Sequence, residues 1–216
     1  MFSSCEVTSW CLVSPKASTL VVERLRESIA FLKEFAKSPT KVGAIAPSSP
    51  GLVHAMVDSF DWDSVRGVVE FGPGTGVFTE AVVARLHPEA RFVAIERSPE
   101  MVSIARKRCP EANIVEDSVT NLDAICDQAG IGQVDAVLCG LPWASFPESL
   151  QREIMDVTLG RMADNAHFAT FAYWQGVVLP AGRRFSKLLR SSFSKVERSH
   201  TVWRNLPPAF VYRCAK

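Results

Sequence analysis

The sequence predicts an α/β sandwich, a mainly parallel sheet covered by helices on both faces and closed by an antiparallel strand. Three observations predict it. From Trp62 onward, short apolar runs alternate with segments of helical periodicity, the pattern of parallel strands buried on both faces by crossover helices. The last two apolar runs are joined by a proline-rich turn instead of a helix, which makes them antiparallel neighbours. The chain has 216 residues, 47% apolar and 22% charged, the composition of one globular domain with a substantial core and not of a disordered, coiled-coil or collagen-like chain.

Taken in order, residues 1–19 show no periodicity and are rich in Ser and Thr, and are read as a poorly ordered leader. Residues 20–61 are read as an N-terminal helical cap. In it Val22, Leu25, Ile29, Leu32 and Ala36, widened by Phe31 and Phe35, give the stripe of an amphipathic helix that Ser38 and Pro39 end. A connector from Pro39 to Gly51 leads to a short helix around Leu52 to Phe60. The remaining residues, 62–216, carry the sheet. Its strands are Gly67 to Phe71, Arg91 to Ile95, Asn113 to Val115, Val134 to Cys139 and His167 to Tyr173. Between them lie helices near Val77 to Leu86, Pro99 to Lys107, Leu122 to Ala129 and Glu148 to Met162. A helix from Arg183 to Ser191 precedes the closing hairpin, Lys195 to Trp203 and Ala209 to Cys214, turned by Asn205-Leu206-Pro207-Pro208.

Apolar runs are only a handful of residues long, against about 20 for a spanning helix, so no bilayer crossing is predicted. Six cysteines without a CxxC or a nearby histidine at ligand spacing fit reduced thiols in a cytoplasmic protein, and no metal site is predicted. The net charge of +1 conceals an asymmetry. From Arg183 to Lys216 nine basic residues face one acid, Glu197, and between Glu23 and Lys41 five basic residues outnumber three acids. Such segments attract phosphate if they share a face; otherwise they are solvated surface balanced by neighbours.

The chemistry centres on Glu70-Phe71-Gly72-Pro73-Gly74-Thr75-Gly76, where the first strand ends and the first crossover helix begins. Gly72, Gly74 and Gly76 allow a tight turn and close approach of a ligand at the carboxyl end of a strand, where such sheets bind cofactors. Glu96 closes the second strand 20 residues after Gly76, where a carboxylate accepts hydrogen bonds from ribose hydroxyls. Strand, loop, helix and acid in this order describe a nucleoside-binding site.

The loop reads GxGxG, with an acid two residues before the first glycine, and so resembles the first motif of the class I S-adenosylmethionine-dependent methyltransferases. That resemblance implies a Rossmann-like seven-stranded sheet, S-adenosyl-L-methionine as cofactor, and cofactor-binding roles for Glu70, Gly72, Gly74, Thr75, Gly76 and Glu96. It also implies that Asp117 and Ser118 stand at the adenine edge, although Asp117 serves equally as a helix cap or loop acid. The segment Cys139-Gly140-Leu141-Pro142-Trp143-Ala144-Ser145-Phe146-Pro147 follows the fourth strand, where the family's methyl group is delivered. In adenine-N6 methyltransferases this motif opens with Asn or Asp; here Gly140 stands in that place, which speaks against nucleic acid as substrate.

Gly43-Ala44-Ile45-Ala46-Pro47-Ser48-Ser49, the GPGTG loop, Gly140-Leu141-Pro142-Trp143 and Trp203-Arg204-Asn205-Leu206-Pro207-Pro208-Ala209 together resemble the bacterial soluble phospholipid N-methyltransferases. The resemblance spans about Leu25 to Arg213. It implies methylation of the amine of a phosphatidylethanolamine-type headgroup by an enzyme that is peripheral on the inner face of the membrane. Docking is expected through Val22 to Lys37 and the basic C-terminal segment, although the helix serves equally as a lid packed on its own domain. Main-chain carbonyls of Gly140 and Leu141 would orient the amine, with Tyr173 the first candidate to handle its proton, ahead of His54 and His200. Trp143, Arg183, Arg204 and Asn205 are the expected substrate contacts, while Trp143 and Phe146 serve equally as core aromatics and the Asn205 to Pro208 segment equally as a rigid hairpin turn. A methyltransferase acting on RNA or a small soluble amine, and a non-catalytic cofactor- or lipid-binding module, are the alternatives.

Overall fold

A computed structural model describes residues 48–177 and 179–216. The expected leader, the helix from Val22 to Lys37 and residues 43–47 of the Gly43–Ser49 motif lie outside the described residues.

Helix α1, Pro50–Val57, starts two residues earlier than its apolar pattern, because Ser49 caps it through a hydrogen bond from Leu52 N to Ser49 Oγ and Pro50 suits the first turn. Strand β1, Gly67–Phe71, is buried along its whole length. It is followed by α2 (Val77–Val83), β2 (Arg91–Glu96), α3 (Pro99–Arg108), β3 (Ile114–Glu116), α4 (Leu122–Ala129) and β4 (Val134–Cys139). Then come α5 (Glu148–Arg161), β5 (Met162–Tyr173), α6 (Trp174–Val177), α7 (Pro180–Ser192), β6 (Lys195–Arg198) and β7 (Ala209–Ala215).

The strands form one seven-stranded sheet in the order β3-β2-β1-β4-β5-β7-β6, and β7 is antiparallel to both of its neighbours. Alternation along the strands supplies two cores. Val69, Phe71, Val93, Ile95, Val137 and Phe168 pack with residues of α4, α5 and α7, whereas Val68, Ala94, Ala136, Leu138 and Ala169 pack with α1, α2 and α3. Helices therefore cover both faces, as the apolar runs predict.

Three expectations need correction. Strand β5 begins at Met162 and not His167, because α5 ends one residue before it and Met162 already pairs with Val134. Helix α6 and the start of α7 at Pro180 fall in a stretch to which the sequence assigns no element; Pro180 occupies the first turn, where its missing N–H costs nothing. Strand β6 ends at Arg198, not Trp203. Beyond it Ser199 N donates to Val211 O at 2.8 Å and Val202 bridges to Ala209, while Asn205 and the two prolines hold the intervening chain in a loop.

Among the described residues no helix is long and apolar enough to cross a membrane.

Candidate active site

Strand order reverses between β1 and β4, so the chain leaves these two neighbours in opposite directions and a crevice opens beyond their carboxyl ends. The glycine loop and the Gly140 loop both enter it. Gly140 N donates to Phe71 O at 2.7 Å, and a Cβ placed on Gly140 would stand 2.7 Å from Gly72 O. The two loops thus touch through backbone, and position 140 has no room for a side chain. Gly74 (φ 56°) lies on the open side of the same loop, where an added Cβ would meet nothing within 4 Å. Its left-handed conformation and that clear space make a cradle a ligand can approach closely. Thr75 completes the loop, half-buried, and Gly76 leads into α2.

Two carboxylates border the cradle. Glu96 is tied to it: Oε2 accepts from Gly74 N at 3.2 Å and Oε1 from Ser98 N at 2.9 Å, which leaves lone pairs on both oxygens for further donors. Glu70 is buried behind it, with Oε2 accepting from the Thr79 hydroxyl at 2.8 Å and Oε1 without a partner among the described residues. Burial, opposed by the Thr79 hydrogen bond and reinforced by the charge of Glu96, pushes its carboxyl up to about 8. An unsatisfied buried carboxyl of this kind fits a cationic group brought beside it, which would restore its ionised form.

Asp117 and Ser118 sit half-buried at the carboxyl end of β3, and Asp117 N donates to Glu96 O at 3.0 Å. Asp117 Oδ1 closes its own turn, accepting from Ser118 N at 2.6 Å and Asn121 Nδ2 at 2.7 Å, and Ser118 caps the short 3-10 turn that follows. Their structural task is thus the loop-acid alternative.

The segment after β4 departs most from the expected roles. Trp143 is 3% exposed and stacks on Phe185 at 4.8 Å, with its indole N–H donating to Cys139 Sγ at 3.2 Å. It packs as a core residue, the alternative that the sequence left open beside a substrate contact. Burial also pushes the Cys139 thiol up to about 12, so it stays protonated. Leu141 is half-buried against Gly72, and its carbonyl accepts Trp143 N at 2.9 Å. The clamp on this loop is Gln151, buried on α5, whose side-chain N–H groups donate to Trp143 O at 2.7 Å and Phe146 O at 3.0 Å. Sequence reading passed over it. The available signal was a polar residue on the same helical face as Ile154, Met155 and Thr158.

Tyr173 ends β5 at the same rim, half-buried, its ring edge-on to Phe171, and burial raises its phenol pKa. His54 and His200 are exposed. Arg183 and Arg204 are also exposed, Arg183 in the first turn of α7 and Arg204 in the loop before β7. Asn205, an expected substrate contact, has a structural role in its loop. It is buried, accepting from Ser49 N at 3.0 Å and donating to Pro207 O at 2.7 Å, so it ties the loop to the start of α1. Beside this tie, Ser49, Pro50 and Gly51 face Val202, Trp203 and Arg204 across a groove.

Comparisons with known proteins agree with this arrangement. Residues 68–158 match a methyltransferase domain family. The chain is 36% identical over 193 residues to an ornithine lipid N-methyltransferase of Singulisphaera acidiphila, a match covering 88% of this chain and 96% of the relative. Its fold resembles that of the O-methyltransferase TomG of Streptomyces achromogenes, at 19% identity, a TM-score of 0.59 and 90% of each chain covered. It also resembles the N-methyltransferase NodS of Bradyrhizobium japonicum, at 13% identity and a TM-score of 0.56, with 77% of this chain and 84% of that one covered.

Proposed function

Because this chain belongs to the class I S-adenosylmethionine-dependent methyltransferases, we propose that it methylates the aliphatic amine of a membrane aminolipid headgroup, of the phosphatidylethanolamine or ornithine lipid type. The observation that carries the reading is the 36% identity to an ornithine lipid N-methyltransferase over nearly the whole of both chains. S-adenosyl-L-methionine is the cofactor, and it supplies an electrophilic methyl group on a sulfonium centre.

The residues present fit that cofactor. The backbone of Gly72, Gly74, Thr75 and Gly76 would cradle it, Glu96 would accept ribose hydroxyls, and the unsatisfied Glu70 would meet the amino group. Asp117 and Ser118 would border the base with whatever lone pairs their turn leaves. Each of these roles asks for a donor or acceptor that the site has at hand.

Displacement by an amine needs alignment at about 3–3.5 Å and a free lone pair, not a protein nucleophile. A protonated aliphatic amine has a pKa near 10.4, so shedding its proton at pH 7 costs about 5 kcal/mol unless the site lowers that value by desolvation. The Gly140 and Leu141 carbonyls would accept the amine's N–H groups and point its lone pair along the crevice. Gly140 is the less encumbered of the two, because Leu141 O already receives Trp143 N–H. The Tyr173 phenol would complete the orientation. An acceptor made of main chain suits an aliphatic amine, whereas a nucleobase amine needs a side-chain acceptor for which position 140 has no room.

The test is S-adenosylhomocysteine production by the purified protein with vesicles containing phosphatidylethanolamine, ornithine lipid or neither, and with RNA. Turnover confined to the aminolipid vesicles is expected. Cofactor binding with turnover only on a soluble amine, or on RNA, would overturn the lipid assignment and keep the enzyme class.

A further inference from the structure

We propose that the rim of the active-site crevice carries a lipid-docking surface of its own, formed by the turn after β5 and the loop before β7, whose apolar side chains enter the headgroup region of an anionic membrane. The inference rests on the aminolipid reading and adds to it the surface that brings the crevice to the lipid.

The described residues contain five exposed large hydrophobic side chains, and four of them lie in these two segments: Trp174 at 49%, Leu179 at 56%, Trp203 at 68% and Leu206 at 76%. The fifth, Ile104, is the least exposed, on α3. Scattered apolar residues need no explanation, but a concentration of this kind on one rim does. The fold brings the segments together. Strand β7 runs antiparallel to β5, so its first residue, Ala209, stands opposite Tyr173, the last of β5. Trp174 N then donates to Pro208 O at 2.9 Å, and Val202 bridges to Ala209. This is also the end of the sheet from which the Gly72 and Gly140 loops emerge, since β1, β4 and β5 are parallel.

Charge selects the occupant. Arg183 and Arg184 are exposed one turn beyond Leu179, where Arg183 N donates to Leu179 O, and Arg204 is exposed between Trp203 and Asn205. From Trp174 to Pro208 there are seven basic residues and one acid, and that acid, Glu197, pairs with Lys195 at 2.9 Å. Tryptophan and leucine flanked by arginine is the composition of a surface that lies in a bilayer interface: the rings sit at headgroup depth and the guanidinium groups meet lipid phosphates. Docking by this rim turns the crevice toward the headgroups and leaves the rest of the sheet in water.

The experiment uses the full chain and sucrose-loaded vesicles of equal parts phosphatidylglycerol and phosphatidylcholine, with pure phosphatidylcholine as the neutral comparison. Wild type is expected to sediment with the anionic vesicles only, and Trp203→Ala with Leu206→Ala to lower that partition about tenfold or more. Brominated acyl chains should quench wild-type tryptophan fluorescence, and Trp174→Phe with Trp203→Phe should abolish the quenching. Turnover separates this inference from the aminolipid reading. The Trp203→Ala, Leu206→Ala protein should lose turnover on vesicles yet keep it on a short-chain aminolipid dispersed as monomers, with S-adenosylhomocysteine affinity unchanged. Lost vesicle binding in the variant, with no aminolipid turnover even by wild type, would uphold the docking surface and overturn the substrate. Unchanged sedimentation and quenching in both variants would overturn the docking surface. So would a variant that binds vesicles normally but loses self-association or a protein partner.

Discussion

The buried carboxyl of Glu70 makes the stability of the cofactor-free enzyme depend on pH in a calculable way. Below its ordinary value of 4.5 the group is protonated in both folded and unfolded chains and contributes nothing. Between 4.5 and about 8 the unfolded chain releases the proton while the fold retains it. Folding stability then falls as pH rises, by about 1.4 kcal/mol per pH unit, and levels off above the folded value. Between pH 5 and pH 7.5 this amounts to about 3 kcal/mol, or a melting temperature shift of about 6–12 °C for a domain of this size. Glu70→Gln removes the titration while keeping an acceptor for the Thr79 hydroxyl. The assay is urea unfolding of both proteins at the two pH values without cofactor. Any constant offset from the unpartnered amide cancels in the difference, and so do all other titrations common to the two chains. The variant is expected to gain about 3 kcal/mol relative to wild type on going from pH 5 to pH 7.5. Parallel profiles would show that Glu70 is ionised in the free enzyme and would refute the account of its burial.

Three further outcomes follow from the site. Gly140→Asn should push the acceptor loop off Gly72 O, at a cost of about 1–3 kcal/mol, and lower S-adenosylhomocysteine affinity in calorimetry; an unchanged affinity would show that the loops do not constrain one another. Trp143→Ala should destabilise the fold by about 3–5 kcal/mol in urea, whereas full stability with lost turnover would return Trp143 to the substrate site. Tyr173→Phe should lower turnover without moving its pH profile, which rises with pH as the amine loses its proton; loss of the rising limb would make the phenol the proton acceptor.

What could be read from sequence and what could not divides along a physical line. Parallel strands buried on both faces are short apolar runs, so β1 and β4 are visible to the residue, as is the acid that ends β2. The glycine loop and Glu96 are equally legible, because their chemistry lies in residue type and local order. Roles that depend on distant contacts are not. Asn205 in a loop beside arginine reads as a ligand for substrate until Ser49 N, 156 residues away in sequence, is found on its side-chain oxygen. Trp143 reads equally as a mouth residue and as a core aromatic until Phe185 is found stacked on it. Gln151 attracts no attention in a helix, yet it fixes two carbonyls of the loop after β4.

Gly140 joins the two kinds of information. In the sequence it is a departure from the side-chain acceptor of adenine-N6 methyltransferases, and taken alone it only weakens one substrate class. In the fold it is the point where the loop after β4, proposed to receive the amine, leans on the glycine loop, proposed to receive the cofactor, too close for any Cβ. A shape that excludes a side chain leaves main-chain carbonyls as the acceptors nearest the crevice, and these hold an N–H group without selecting a planar base. Recognition of the substrate then has to come from elsewhere. The rim beyond β5 and before β7 is where apolar side chains and arginines are exposed together, so the proposed function separates amine orientation in the crevice from lipid docking at its edge.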